Sequence, residues 1–174
     1  MKNMLILTVM AAFLSGLFCS AQSVDNTPIS KSVDLDRYLG RWYEIARFDH
    51  SFEKGLINTT AVYTKRNDGK ISVTNSGWRD GKPKTSLGKA KTTSNSAILR
   101  VSFFGPFYSD YRILMLTDDY QHALIGSGTA NYLWILSRTP TISSEMKDAI
   151  VREALRRGYD VKKLIWVDQT VNLK

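Results

Sequence analysis

From Trp42 onward, short β-branched and aromatic runs alternate with turn-forming residues at near-regular spacing. That pattern predicts an all-β sandwich or barrel rather than strands alternating with helices. Strands are expected at about 42–48, 58–66, 70–78, 84–92, 96–104, 108–117, 120–126 and 131–138. Between them lie Asn67-Asp68-Gly69, Arg79-Asp80-Gly81, Ser94-Asn95, Gly105-Pro106, Thr117-Asp118-Asp119 and Gly126-Ser127-Gly128, each with turn chemistry. Every link but the first is short, so neighbours in sequence should pair as an up-and-down meander. Such a sheet keeps exposed edges unless it closes, and closure into a barrel removes them.

After the strands the period changes. Ser143 is a good N-cap, Glu145 suits a first helical turn, and Gly158 is placed to end the helix. Met146, Ile150, Val151, Ala154 and Leu155 share one face, opposite Arg152 and Arg156. A short final strand is expected over Lys163 to Asp168. The expected architecture is an eight-stranded antiparallel up-and-down β-barrel with one C-terminal α-helix packed on its outside. Ala97, Leu99, Val101 and Phe103 alternate with Arg100 and Ser102, as an apolar lumen and a wet exterior require. Ile113 to Leu116, Ala123 to Ile125 and Leu133 to Leu136 are apolar on both faces, so their outer side needs the helix as cover.

Counting hairpins sorts the two ends. With Gly40-Arg41-Trp42 at the base, the turns 67–70, 93–95 and 117–120 and Arg138 fall there as well. The long link 49–57 and the turns 79–83, 104–107 and 126–130 fall at the mouth, and that link is a candidate lid. Alternation nominates Val73, Leu99, Val101, Phe103, Tyr111, Ile113, Met115, Tyr132 and Trp134 as lumen residues that touch a ligand. Plain core packing is the competing reading for each. Phe48, Phe52, Phe104 and Phe107 are rim candidates. Gly40, Trp42, Asp118, Tyr120 and Arg138 gather at the base, where a guanidinium laid on the Trp42 ring would plug the barrel.

The N-terminal segment adds an address. A basic Met1-Lys2-Asn3 and an uncharged apolar run to Phe18 form a secretory signal, too short and too early for a membrane span. The expected division is a signal peptide over 1–21, a linker over 22–33 and the barrel domain over 34–174. Cys19 leaves two routes open. Small residues before Gln22 suit cleavage to a soluble product, whereas acylation of Cys19 would make a lipoprotein; Phe18 stands where lipoprotein processing prefers a small residue. Cys19 is the only cysteine, so the barrel has no disulfide and no thiolate ligand.

The formal charge of +8 comes from bases scattered through every segment. That distribution argues against a nucleic-acid partner, and leaves weak attraction to anionic lipid headgroups. No metal or other cofactor is implied: His50 and His122 are the only histidines, without carboxylates at ligand spacing. Strand counting puts them at opposite ends, so an enzyme or haem-binding barrel using His50 is the weakest alternative. Glu44 reads as a hydrogen-bonded structural carboxylate.

Three motifs recur in this order in lipocalins: Gly40-x-Trp42, Thr117-Asp118-x-Tyr120 and Arg138. The runs Tyr38 to His50, Val101 to Tyr108 and Tyr132 to Pro140 resemble the bacterial outer-membrane lipocalin group in particular, and the likeness spans about 33–168. The resemblance implies a carrier or storage protein for a fatty acid, lysophospholipid or similar amphiphile. It also implies export to the periplasm or outer membrane. An envelope structural or partner-binding protein with an incidental lumen is the other class left open, as is a homodimer paired through the barrel mouths.

Overall fold

The computed structural model describes residues 23–173; the expected signal peptide over 1–21 and Cys19 lie outside the described residues. A short helix α1 (Leu35–Tyr38) opens the domain, capped by the Asp34 side chain, which accepts from the Asp36 and Arg37 amides. Eight strands follow: β1 (Gly40–Phe48), β2 (Ile57–Lys65), β3 (Ile71–Arg79), β4 (Lys82–Thr92), β5 (Ile98–Phe104), β6 (Phe107–Leu116), β7 (His122–Gly126) and β8 (Leu133–Ser137). Each pairs antiparallel with the next, and β1 pairs with both β2 and β8, which closes the barrel.

Helix α2 (Ser144–Arg156) runs along the outside, with the Ser143 hydroxyl accepting from the Met146 amide. Gly158, at φ +85, leaves the helix in the left-handed region that its lack of a Cβ permits. The last strand, β9 (Leu164–Trp166), takes the β1 edge at Ala46–Phe48 that β2 has left, since β2 holds β1 only at Gly40–Tyr43. Gln169 fills the remaining seam by donating to the carbonyls of Glu44 (2.8 Å) and Thr59 (2.9 Å).

Two apolar cores result. One lies inside the barrel around Trp42, Tyr63, Val73, Leu99, Ile113 and Leu136. The other lies between the wall and α2, with Ile45, Phe48, Leu114, Leu124, Ile135 and Ile150. The doubly apolar strands alternate between them: on β8, Leu133 and Ile135 face the helix while Trp134 and Leu136 face inward.

Two bulges alter that alternation. On β6 the register against β7 slips between Ile113 and Met115, so Leu114 and Met115 both pack toward the helix. On β1 the slip between Glu44 and Ala46 turns Ile45 and Ala46 outward together. Glu44 and Arg47 thereby oppose the inward-facing Leu136 and Trp134. Leu155, expected on the buried helix face, is 52% exposed, because the face in contact is centred on Ile150 and Ala154.

Residues 24–33 lie as a strap on the outer wall. Asp25 N donates to the Arg157 carbonyl, and Ile29 N to that of Ile113. Buried Arg157 clamps the strap from beneath, donating to the carbonyls of Asp25 (3.0 Å), Thr27 (2.7 Å) and Leu114 (2.8 Å).

Candidate functional site

The base is sealed by one arginine. The Arg138 guanidinium lies 3.8 Å over the Trp42 ring and donates to the carbonyls of Arg41 (2.7 Å), Arg37 (2.8 Å), Tyr38 (3.0 Å) and Tyr120 (3.3 Å). Its preference for a planar partner and several carbonyls is met at once. Trp42, fully buried, donates Nε1 to the Tyr38 carbonyl at 2.8 Å. The Gly40 φ of +94 brings the chain within 3.5 Å of the Arg138 guanidinium, measured from where a Cβ would stand. Tyr120 accepts from the Asp34 amide (2.9 Å) and carries Arg37 on its ring. Asp118 joins this base only through its backbone carbonyl, which accepts from Arg37; its side chain is almost wholly exposed and pairs with Lys31 at 2.6 Å.

Above the plug, the lower lumen is packed solid. Val73, Leu99 and Ile113 are buried there with Tyr38, Tyr63, Ile71 and Ala90. Three hydroxyls meet in it: Tyr63 donates to Tyr111 at 3.1 Å, and the Tyr38 and Tyr111 hydroxyls stand 2.6 Å apart. Burial raises the Tyr63 hydroxyl to about 12 and lifts Tyr38 and Tyr111 as well, so all three stay neutral.

Higher up, Ala61, Val101, Phe103, Tyr111 and Trp134 face inward yet keep accessible surface. Accessible surface on an inward face means open space inside the wall, and its lining is apolar and aromatic. Of the nine residues that alternation nominated, seven thus lie in the inner core: three in the packed part and four on the open part. Tyr132 stands above them, stacked 5.8 Å from Trp134 and 4.4 Å from His50. Met115 is the correction: the β6 bulge puts it on the helix side, where a lumenal ligand is out of reach.

The mouth is partly covered by the 49–57 link, anchored by a buried charge cluster. Arg47 donates to Glu44 at 2.5 Å and to the carbonyls of Glu53 (2.8 Å) and Leu56 (3.1 Å). Thr59 also donates to Glu44 (3.1 Å), and Trp134 Nε1 donates to the Glu53 carboxyl at 3.1 Å. Two carboxyls share one guanidinium here. Burial, then the neighbouring Glu44, pushes Glu53 up to about 8; burial also raises Glu44. His50 is lowered by burial and by Arg47, which favours the neutral ring that stacks between Phe52 (5.4 Å) and Tyr132.

The rim residues divide. Phe104 and Phe107 are each 78% exposed and face each other across the Gly105-Pro106 turn, and Phe52 is also exposed. Phe48 does not belong with them: it is buried on the helix side, edge-on to Tyr159 at 6.1 Å. The bulge that inverts the end of β1 is the reason. The same bulge hid Arg47, which alternation from Trp42 places outward; Glu44, before the bulge, alternates inward with Trp42. Tyr63 and Ala61, in contrast, alternate plainly along β2 and were legible as inward residues.

Among the described residues no three of His, Cys, Asp or Glu stand close enough to hold a metal ion. A plugged base, an aromatic lumen and a lidded mouth define a ligand-binding barrel, and residues 33–169 match the family model for the lipocalin-like domain. The chain belongs to the lipocalin family. It is 49% identical over 168 residues to the outer membrane lipoprotein Blc of Citrobacter freundii, covering 94% of this chain and 95% of that one. Identity to the Blc of Escherichia coli K12 is 47%, over 95% and 96% of the two chains. In fold it superposes on the cockroach allergen Per a 4 with a TM-score of 0.69 at 20% identity, over 87% of this chain and 98% of that one.

Proposed function

We propose that this lipocalin is a lipid carrier or store of the bacterial envelope. It takes the acyl chain of one fatty acid, lysophospholipid or similar amphiphile into the upper lumen and keeps the polar head at the mouth. The observation that carries this reading is the accessible apolar surface of Val101, Phe103, Tyr111 and Trp134 above a sealed floor. An acyl chain there gains ~0.8 kcal/mol per buried methylene. Ten methylenes give a gross ~8 kcal/mol, which alone would correspond to a Kd of ~1 µM; the cost of immobilising the partners is subtracted from this, so micromolar binding calls for a longer acyl chain. The names of the bacterial relatives support an outer-membrane setting.

The test is a tryptophan-fluorescence titration of the delipidated protein with lysophospholipids of increasing chain length, held below their micellar range. Trp134 lies on the open lumen, Trp42 in the plug, and Trp78 and Trp166 are exposed. Saturation at one ligand per barrel, tightening with chain length and lost in Trp134→Phe, is expected. A folded protein with no saturable change at any length refutes the carrier reading.

A further inference from the structure

Charge and apolar surface are distributed unequally between the ends of the barrel. At the base most side-chain charges are paired, Lys31 with Asp118, Lys65 with Asp36, and Arg66 and Lys70 with Asp68, while Arg37 is held on the Tyr120 ring and Arg41 is exposed. At the mouth, Lys54, Lys82 and Lys84 are exposed and have no ion pair among the described residues. Beside them stand Phe52 (57% exposed), Phe104 and Phe107 (78% each) and the partly exposed Trp78. The Gly105-Pro106 turn that lifts the two phenylalanines has its glycine at φ +53, a conformation set by the hairpin and independent of any packing on its tip. Large aromatic side chains left in water at a loop tip, at the same end of the barrel as three unpaired lysines that outnumber the exposed Asp49 and Asp80, match an interface of apolar chains beneath anionic headgroups.

A second observation is independent of that patch. The outer strap has a direction. Its first residues lie high on the wall: Asn26 accepts from Tyr159 and Arg112, beside Gly126 at the mouth end of β7. Its last residues reach the base, where Val33 N donates to Ser96 and Asp34 N to Tyr120. The chain therefore enters the domain from the mouth side. Cys19 precedes Val24 by five residues, and a stretch of that length spans at most ~18 Å. A lipid on that cysteine would hold the mouth at the membrane and the base away from it.

We infer that the barrel docks mouth-down on an anionic lipid surface, with the Phe104–Phe107 hairpin entering the leaflet and Lys54, Lys82 and Lys84 meeting its headgroups. This deepens the proposed carrier function, on which it rests: the ligand passes between leaflet and lumen without crossing water. Docking needs no acylation, since the hairpin and the lysines act in the unlipidated chain.

The test uses residues 23–174, which contain every described strand and the strap and have no cysteine. An environment-sensitive fluorophore is attached at Pro106→Cys on the mouth hairpin or at Asn67→Cys on the base turn. Each protein is titrated with vesicles of phosphatidylcholine alone or with phosphatidylglycerol added. The mouth probe should brighten and shift blue with the anionic vesicles while the base probe stays unchanged. Phe104→Ser/Phe107→Ser should weaken partitioning by about a hundredfold, and Lys82→Glu/Lys84→Glu should abolish the preference for phosphatidylglycerol, both with an unchanged urea midpoint.

A base probe that responds as strongly as the mouth probe, or vesicle binding indifferent to both variants, overturns the proposal. So does a mouth probe that changes with protein concentration in the absence of vesicles, which assigns the patch to a second copy of the chain. Failure of the lumenal titration with vesicle docking intact rejects the carrier reading alone.

Discussion

Replacing Glu53 by glutamine isolates the charge cluster under the mouth loop. Glutamine keeps an oxygen for the Trp134 indole, 3.1 Å from the present carboxyl, and removes only the titration. In the folded protein burial and the nearby Glu44 raise Glu53 from 4.5 to about 8. The native state therefore binds this proton more tightly than the unfolded chain does. The stability it contributes is fully present below pH 4.5 and is lost as pH rises through about 8. Each tenfold change in proton affinity is ~1.4 kcal/mol. The whole swing is then at most ~5 kcal/mol, and sharing Arg47 with Glu44 brings the expected loss to about 3 kcal/mol.

Urea unfolding of the wild type and Glu53→Gln at intervals from pH 5 to 9 measures it, and the difference between the two cancels what His50 and the other groups contribute. That difference should shift against the wild type by about 3 kcal/mol across the range. The fluorescence of Trp134, the partner of Glu53, should report loosening of the 49–57 loop before global unfolding at the alkaline end. A difference that stays flat with pH, or moves in favour of the wild type, refutes the placement of a neutral buried carboxyl beneath that loop.

Three further outcomes are expected. Arg138→Met, which keeps a stem over Trp42 but removes the donor from four backbone carbonyls, of which Tyr38's keeps Trp42 Nε1, should cost about 2–4 kcal/mol in urea unfolding; a loss below ~1 kcal/mol would show that the base plug adds little to stability. Met115→Ala should lower stability by about 2 kcal/mol and leave lysophospholipid affinity within twofold, whereas Val101→Trp, which fills open lumen, should weaken long-chain ligands more than tenfold; the reverse ranking by fluorescence titration would return Met115 to the lumen. Gly88→Ala should destabilise by ~1–3 kcal/mol, because its Cβ would stand 2.8 Å from the Phe103 ring and 2.9 Å from the Ser102 carbonyl oxygen; thermal unfolding checks this.

The two ends of the barrel differed in how far the sequence exposed them, for a physical reason. The base depends on residues at strand ends and turns, where chain order and hairpin parity suffice: Gly40, Trp42, Tyr120 and Arg138 meet where counting places them. Along β3 alternation also holds, and along β5 it survives a register shift against β6 between Val101 and Phe104, so Val73, Leu99, Val101 and Phe103 face inward as read. It fails at Met115 and Phe48 because each follows a bulge, and one extra residue inverts every side chain beyond it. Neither bulge carries a glycine or a proline, so nothing local announces it.

The β1 bulge does more than misdirect a reading. By turning Ile45 and Ala46 outward together, it gives the helix-side core two consecutive contacts and points both Glu44 and Arg47 toward the lumen end of the lid. An inward ion pair in an apolar barrel costs desolvation that plain packing would avoid. What it provides is a fixed attachment for the 49–57 link, through Arg47 to the carbonyls of Glu53 and Leu56. Three hydrogen bonds from β1 and β8 converge on that link, so the protein's own contacts tie it to the wall. A mouth held in shape from below is free to leave Phe52, Phe104 and Phe107 facing outward, where packing into the lumen would otherwise have drawn them.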